Sequence, residues 1–359
     1  MRRVGLILLA LFLSAVTAAT TAGRVLPAGE QLVYLSSLSR GQSRLLLRDT
    51  GRSISIDLEL PGNVIAEPAW SPDGRRLAYV RVVSPAEREL NIFDLTTGQN
   101  MPVTSPYDPA GNFAWSADGT RLAYHFFASQ WIAIYDLTSQ ESFLISPTVV
   151  AQSPPLWSPD GRSLMYVSFV DGIPYLRVVS EQCQDSGQSC LDRGRERWVT
   201  QNSAYWPMSW SPDQQHLVFN QLERDGWRLE LLSITCDDLL EPTCIGSAGT
   251  VVEQLRHSVF PFWSPDGSEV AFLSSDTTQT ILNTVNITTG TSRQVMVNLE
   301  LYDAPAGSPG SGAIAVTQRG RRGALAIPLR IMLLDAHSGQ VWQVIDAAHS
   351  PRWRPGSNW

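Results

Sequence analysis

Lysine is missing from this sequence, and all 27 basic residues among its 359 are arginine. The absence excludes a lysine Schiff base and the lysine of a phosphate-binding loop. Charged residues make up 17% of the chain, below the roughly 25% of an average soluble domain. Because the net charge is −7, nucleic acid is not expected as the main partner.

Catalytic signatures are missing as well. The sequence contains no G-x-S-x-G, H-E-x-x-H, phosphate-loop or dinucleotide-binding motif. Its five histidines are scattered, and no helical pattern separates the apolar runs. The sequence therefore predicts no catalytic residue and no cofactor, and it favours a role other than catalysis.

What the sequence does contain is a repeated turn. The motif W-S-P-D-G and its variants recur every 42 to 53 residues, a spacing typical of modular repeat folds. The copies begin at Trp70, Trp115, Trp157, Trp210, Trp263, Gly307 and Trp353. The copy at Gly307 has lost both its Trp and its Asp.

The residues of the motif are those that a tight turn needs. Proline presets φ, the Ser and Asp oxygens can bond backbone N–H groups, and glycine adopts a left-handed conformation without steric cost. We interpret the repeated aspartates as structural turn residues rather than metal ligands. They are Asp73, Asp118, Asp160, Asp213 and Asp266.

Short apolar strands surround each turn. One strand follows the motif directly, as at 77–80 and 270–273. A second strand often ends in an Asp/Asn-Thr-Gly turn, as at 94–98, and a third leads to the next motif. Four short strands per period, with no helix between them, predict an all-β propeller built of four-stranded blades.

The two ends of the chain are predicted to close this ring. The last motif starts at Trp353, and the strand before it can join the N-terminal strands at 32–35, 45–47 and 54–56. Such pairing removes free sheet edges. We expect one closed propeller domain over 31–359 with seven blades, six being the alternative.

The repeat P-x-W-S-P-D-G, followed by an apolar strand and D-L-x-T-G, resembles the WD-repeat-like propeller repeat of the TolB family over residues 31–359. The resemblance implies a periplasmic or cell-surface protein that binds a protein or cell-envelope ligand. Related propellers also cap some serine peptidases, so a stand-alone relative of such a gating propeller is an alternative. A third possibility is a metal-assisted hydrolase or lyase on the same scaffold.

The N-terminus predicts export. Met1-Arg2-Arg3 precedes an apolar run that ends in small residues, which is the pattern of a signal peptide over 1–19. An uncleaved membrane anchor is the alternative, and it would be the chain's one contact with a membrane. Residues 20–30 are interpreted as a linker. The expected location is periplasmic, cell-surface or extracellular.

Candidate site residues lie just before each motif, where the innermost strand of each blade begins. These positions should ring one mouth of the central channel, and function on a propeller usually lies there. The candidates for ligand contact are Asn112, Gln152, Tyr205, Trp206 and His257. The candidates for a metal or acid–base set are Glu67, Asp303 and His349.

The four cysteines lie in the two longest repeats and generate a prediction. We expect the local disulfides Cys183–Cys190 and Cys236–Cys244, because each pair lies within one inserted loop of an exported chain. Zinc is disfavoured since the spacing is wrong and no histidine is near. Non-reducing peptide mapping should recover both local pairs, and a peptide joining Cys183 to Cys236 or Cys244 would contradict the pairing.

Overall fold

The structure is a computed structural model whose described residues consist of strands, turns and short connections. It describes residues 30–38, 42–60, 62–64, 68–84, 87–104, 111–126, 131–145, 155–182, 196–201, 205–223, 226–235, 239–241, 244–246, 249–255, 258–275, 279–297, 303–319 and 329–355. Within these ranges no helix is long and apolar enough to cross a membrane. The predicted signal peptide lies outside them.

Twenty-nine strands form in the described part of the chain. In chain order they are β1 (Gln31–Ser37), β2 (Ser43–Asp49), β3 (Ile54–Asp57), β4 (Asn63–Val64), β5 (Ala69–Trp70), β6 (Arg76–Ser84), β7 (Glu87–Asp94), β8 (Asn100–Pro102), β9 (Gly111–Trp115), β10 (Arg121–Phe126), β11 (Trp131–Asp136), β12 (Glu141–Ile145), β13 (Leu156–Trp157), β14 (Ser163–Val170), β15 (Ile173–Ser180), β16 (Glu196–Gln201), β17 (Tyr205–Trp210), β18 (His216–Glu223), β19 (Gly226–Ser233), β20 (Gly249–Leu255), β21 (Ser258–Trp263), β22 (Glu269–Ser275), β23 (Thr280–Asn286), β24 (Ser292–Met296), β25 (Ala306–Gly307), β26 (Ala313–Arg319), β27 (Leu329–Asp335), β28 (Val341–Asp346) and β29 (Ala348–Trp353).

These strands form seven antiparallel sheets, which are the blades of the propeller. Blade 1 joins β29 to β1–β3, blade 2 contains β4–β8, blade 3 β9–β12, blade 4 β13–β16, blade 5 β17–β20, blade 6 β21–β24 and blade 7 β25–β28. The strands that carry the motif contact one another from blade to blade, as β5 contacts β9 and β25 contacts β29. They therefore surround the central axis, and the prediction of a seven-bladed propeller is confirmed.

The ring closes where the chain ends meet, as the sequence predicts. Strand β29 pairs antiparallel with β1, with Trp353 opposite Leu32 and Ala348 opposite Ser36. The backbone N–H of Arg354 adds a 2.8 Å hydrogen bond to the carbonyl of Gln31. Blade 1 is thus built from both ends of the propeller sequence, and β29 covers the edge that β1 would otherwise expose.

A belt of tryptophan side chains joins neighbouring blades. Each indole Nε1 donates a hydrogen bond of 2.8 to 3.2 Å to a backbone carbonyl of the preceding blade. The pairs are Trp70 with Arg352, Trp115 with Ala69, Trp157 with Ala114, Trp210 with Trp157, Trp263 with Ser209 and Trp353 with Ala306. Six of the seven junctions are bonded in this way, and the junction of blades 6 and 7 has Gly307 in place of the Trp.

Glu30 takes the place of the missing Asp in the turn of blade 7. In intact copies the motif serine donates to its own Asp two residues later, as Ser71 does to Asp73 at 2.6 Å. In blade 7 the corresponding Ser308 donates instead to Glu30 Oε1 at 2.8 Å, and Ser311 donates to Glu30 Oε2 at 2.8 Å. A carboxylate from the start of the ring therefore replaces the missing Asp and ties blade 7 to blade 1.

Deleting residues 347–359 should open the ring. The deletion removes β29 and exposes the edge of β1, and the buried Trp353 alone accounts for about 3–5 kcal/mol on the scale of buried Trp-to-Ala changes. We expect a large fall in melting temperature and aggregation by light scattering. Deleting only 356–359 keeps β29 and is the control. Equal melting of the long deletion and the parent would contradict the closure.

Candidate functional site

The inner strands are irregular at one level of the channel. The inner strand shifts its register against the second strand opposite Val33–Leu35 in blade 1 and opposite Tyr124–His125 in blade 3. In blade 6 the shift lies on the inner strand itself, between Val259 and Phe262. Blade 5 has a similar shift, and in blade 2 the inner strand is split into β4 and β5. Such bulges leave backbone groups unpaired and redirect side chains, and they are common beside functional sites.

Two bulges contain strained residues. Phe260 has φ of 56° and Ser350 has φ of 54°, and each lies three residues before the Trp of its blade. Side chains other than glycine rarely adopt this left-handed conformation, and such strain is concentrated at functional sites. The two residues occupy equivalent positions in blades 6 and 1, which indicates a repeated feature of the channel mouth.

Asp303 supports the bulge of blade 1 from blade 7. Its Oδ2 accepts a hydrogen bond from the backbone N–H of Ser350. The Ser350 hydroxyl lies 3.0 Å from Nδ1 of His349. Asp303, His349 and Ser350 therefore form one polar cluster at the mouth, and one oxygen of the carboxylate already holds the backbone.

Burial raises the pKa of Asp303, and this effect outweighs the opposing interactions with Thr317, Ser350 and Arg352. Its Oδ1 is buried and has no hydrogen bond of good geometry in the described part of the chain. The carboxyl group is thus more easily protonated than an exposed aspartate.

The predicted metal or acid–base set is only partly placed. Asp303 and His349 are brought together through Ser350, whereas Glu67 lies outside the described residues. Within the described ranges no three His, Cys, Asp or Glu side chains are grouped so that they could hold a metal ion. A metal role for these three residues stays a prediction.

The other five candidates for ligand contact lie either on the inner strands or outside the described residues. Asn112 is the extra residue at the shift between β9 and β10, and Tyr205 and Trp206 begin β17. Gln152 and His257 lie outside the described residues. The backbone thus places three of the five candidates where an inner strand starts.

A polar cleft lies beside the mouth. Its volume is about 650 Å³, and it is lined by the β1–β2 turn and by the approach to blade 2, including Arg44, Asp57, Glu59 and Asn63. Arg44 and Asp57 form a 2.9 Å ion pair in which the arginine side chain is 61% exposed. The cleft was not found from the sequence, because its residues come from two blades and carry no motif.

The five motif aspartates lie at the opposite end of the channel, in the turns. Each accepts a hydrogen bond from the motif serine at 2.5 to 2.6 Å and one from a backbone N–H two residues later at 3.0 to 3.1 Å. Bonds from Ser211 and Gln215 lower the pKa of Asp213. At Asp73 and Asp118 burial opposes this effect, but the hydrogen bonds prevail and the pKa is lowered.

The described cysteine belongs to the same end of the molecule. Cys244 is disulfide-bonded and fully buried, and it packs with Leu239 and Ile234 in the core between blades 4 and 5. Cys183, Cys190 and Cys236 lie outside the described residues. The pairing itself stays a prediction.

These features define a closed seven-bladed propeller with a self-bonded turn end and an irregular mouth. The family profile of the TolB beta propeller domain matches residues 32–240, more than half of the chain. The chain belongs to this family. No curated protein matches the sequence.

Solved structures share the fold at low sequence identity. TolB from Acinetobacter baumannii is 17% identical with a TM-score of 0.56, over 90% of this chain and 82% of that one. The periplasmic gluconolactonase of Pseudomonas aeruginosa is 16% identical with a TM-score of 0.62, over 90% and 99%. Oligogalacturonate lyase from Vibrio parahaemolyticus is 14% identical with a TM-score of 0.59, over 87% and 84%. At these identities the likeness shows the fold alone.

Two substitutions of Asp303 should separate its hydrogen bond from its charge. Asp303→Ala removes the bond to Ser350 and should destabilise the protein by about 1–3 kcal/mol. Asp303→Asn keeps an acceptor oxygen but removes the buried charge. Burial raises the pKa of Asp303 in the folded state. The parent's free energy of unfolding should therefore fall furthest below that of Asp303→Asn at a pH above this folded-state pKa. The difference should vanish at a pH below the pKa of Asp303 in the unfolded chain.

Denaturant unfolding between pH 3 and pH 7 measures both effects. If the difference in free energy of unfolding between the parent and Asp303→Asn does not change with pH, the burial of the Asp303 charge is contradicted. An Asp303→Ala variant as stable as the parent would contradict the role of the carboxylate in supporting the bulge.

Proposed function

We propose that this chain is an exported, non-catalytic binding propeller that recognises a protein or cell-envelope ligand at its channel mouth. The ring of bulged inner strands is the observation that carries the proposal. Regular strands pair their backbone groups with the neighbouring strand, whereas a bulge takes N–H and C=O groups out of this pairing, so that a side chain, as Asp303 does for Ser350, or a ligand can bond them. Five of the seven blades have such an irregularity in the described residues.

The charges beside the mouth support recognition of a polar ligand. Arg44, Asp57 and Glu59 line the cleft between blades 1 and 2 and offer both signs of charge. Arg44 is exposed enough to exchange its ion pair with Asp57 for a ligand carboxylate, since surface ion pairs are worth only about 0–1 kcal/mol. A protein surface or an envelope component with mixed charge fits this cleft.

Family membership supports the location. The signal-like N-terminus and the TolB propeller family both favour an exported protein in the periplasm, on the cell surface or outside the cell. The predicted disulfides require an oxidising compartment, which is consistent with export.

An enzyme at the same mouth is the second candidate. Asp303 and His349 lie in one polar cluster, and a lyase and a lactonase are among the solved structures that share the fold. Against it, Asp303 already bonds the backbone of Ser350, so only one of its oxygens remains for chemistry. A relative of the peptidase gating propellers is the third candidate.

The test compares arginines at the two ends of blade 1. Arg44 lines the cleft and its side chain is 61% exposed, whereas Arg52 lies in the turn at the opposite end and is 74% exposed. Proteins that the mature protein captures from envelope fractions are identified and purified. Arg44→Ser and Trp206→Ala should each weaken binding of the purified partner at least about tenfold, or 1.4 kcal/mol, while Arg52→Ser should not.

The same preparations separate the candidates. Equal affinity of all three variants would refute recognition at the mouth. Turnover of oligogalacturonides or aldonolactones, with or without Mn²⁺, that is lost in His349→Ala would establish the enzyme instead. If the protein changes the rate at which a co-purifying peptidase cleaves its substrates, a relative of the gating propellers is favoured.

A further inference from the structure

Six of the seven blade junctions contain the same socket for an indole ring. In each one the Trp of a blade packs with an aliphatic side chain on the third strand of the preceding blade. Trp115 packs in this way with the cluster of Ile92, and Trp157 with the cluster of Ile134. The indole N–H then bonds a carbonyl of that preceding blade. The same socket thus holds an indole ring at six junctions of this chain.

The junction of blades 6 and 7 departs from this pattern at three positions at once. Gly307 replaces the Trp of blade 7. Phe262 stands where the equivalent residues of the other blades carry no aromatic ring: Ala69, Ala114, Leu156, Ser209, Ala306 and Arg352. Thr284 stands where the third strand elsewhere has an aliphatic residue: Leu47, Ile92, Ile134, Val178, Leu231 and Leu333.

These departures leave a crevice. Phe262, Trp263, Pro265, Thr284, Gly307 and Ile314 are among its lining residues, and its free volume is about 30 Å³ with Phe262 in its present position. The ring of Phe262 reaches over Gly307 and would lie 2.9 Å from a Cβ placed there. Most of the lining surface is apolar, although Ser264, Glu269 and Ser308 also border the crevice. Thr284 is 2% exposed, and its hydroxyl has no hydrogen-bond partner in the described part of the chain.

Thr284 is an unfavourable replacement for the aliphatic residue that the other blades have at this position. A buried hydroxyl without a partner destabilises a protein by about 1–3 kcal/mol, and a valine of the same shape would avoid this. The polar side chain lies at the one junction that lacks its own indole. A ligand that brings both an aromatic ring and a polar atom would complete the junction.

We propose that the crevice between blades 6 and 7 binds a small flat aromatic molecule of the indole class. Phe262 turns aside, and the ligand ring takes its place in the socket against Trp263 and Ile314. The ligand N–H donates to the hydroxyl of Thr284. This site lies at the turn end of the ring, away from the mouth, so it stands or fails independently of the proposed function.

Indole and indene are the probes, because they share a shape and differ in the N–H group. Saturation-transfer NMR and calorimetry on the mature protein should show indole binding about threefold to tenfold more tightly than indene. Phe262→Ala should bind both probes more tightly because the ring that must turn aside is removed. Thr284→Val should abolish the preference for indole. Ser168→Ala, which removes another buried, unpartnered hydroxyl in blade 4, should leave it unchanged.

A double variant rebuilds the regular junction. Phe262→Ala with Gly307→Trp supplies the chain's own indole, so it should no longer bind the probe and should melt at a higher temperature than Phe262→Ala alone. Absence of binding in both the parent and Phe262→Ala would overturn the proposal, and so would an indole preference that survives Thr284→Val. If the double variant fails to fold, the Thr284→Val comparison decides.

Discussion

The hydrogen bond from a tryptophan indole to the carbonyl of the preceding blade is the contact on which the ring depends. Each sheet pairs only the strands of its own blade, and the pairing of β29 with β1 lies within blade 1, so strand pairing does not join one blade to the next. Each indole bond contributes only about 0.5–1.5 kcal/mol net, but it fixes the position of a large buried ring between two sheets. Six repetitions set the spacing and rotation of all blades around the channel.

The two ends of the channel differ in how their polar groups are used. At the turn end the motif serines and aspartates bond each other and the nearby backbone, so little bonding capacity remains for a ligand. At the mouth the strands are bulged, and a side chain from a neighbouring blade supports the backbone, as Asp303 does for Ser350. The turn end, whose polar groups bond one another, therefore acts as a rigid scaffold that positions the more irregular mouth. This is the usual division between scaffold and binding loops.

The sequence was sufficient for the blades and their closure, but not for the mouth. Tryptophan spacing and turn chemistry predict seven blades, and the strands flanking Trp353 and Leu32 predict the seam, because these are local patterns. Alternation along a strand assumes an unbroken register, so the shift at Ser350 could not be foreseen. The contact of Glu30 with Ser308 joins residues 278 positions apart and has no pattern. Phe262 and Thr284 were visible as departures once the repeats were aligned by structure.

Blade 1 contains strands from both ends of the propeller sequence, and this has a consequence while the chain is being synthesised. Strands β1–β3 are among the first to be made, yet their inner neighbour β29 is among the last. At about 5–20 residues per second, the intervening chain takes some tens of seconds to emerge from the ribosome. During that interval the edge of β1 has no native partner, and the carboxylate of Glu30 has no serines to bond. Until β29 has been synthesised, the edge of β1 is therefore open to pairing with another strand.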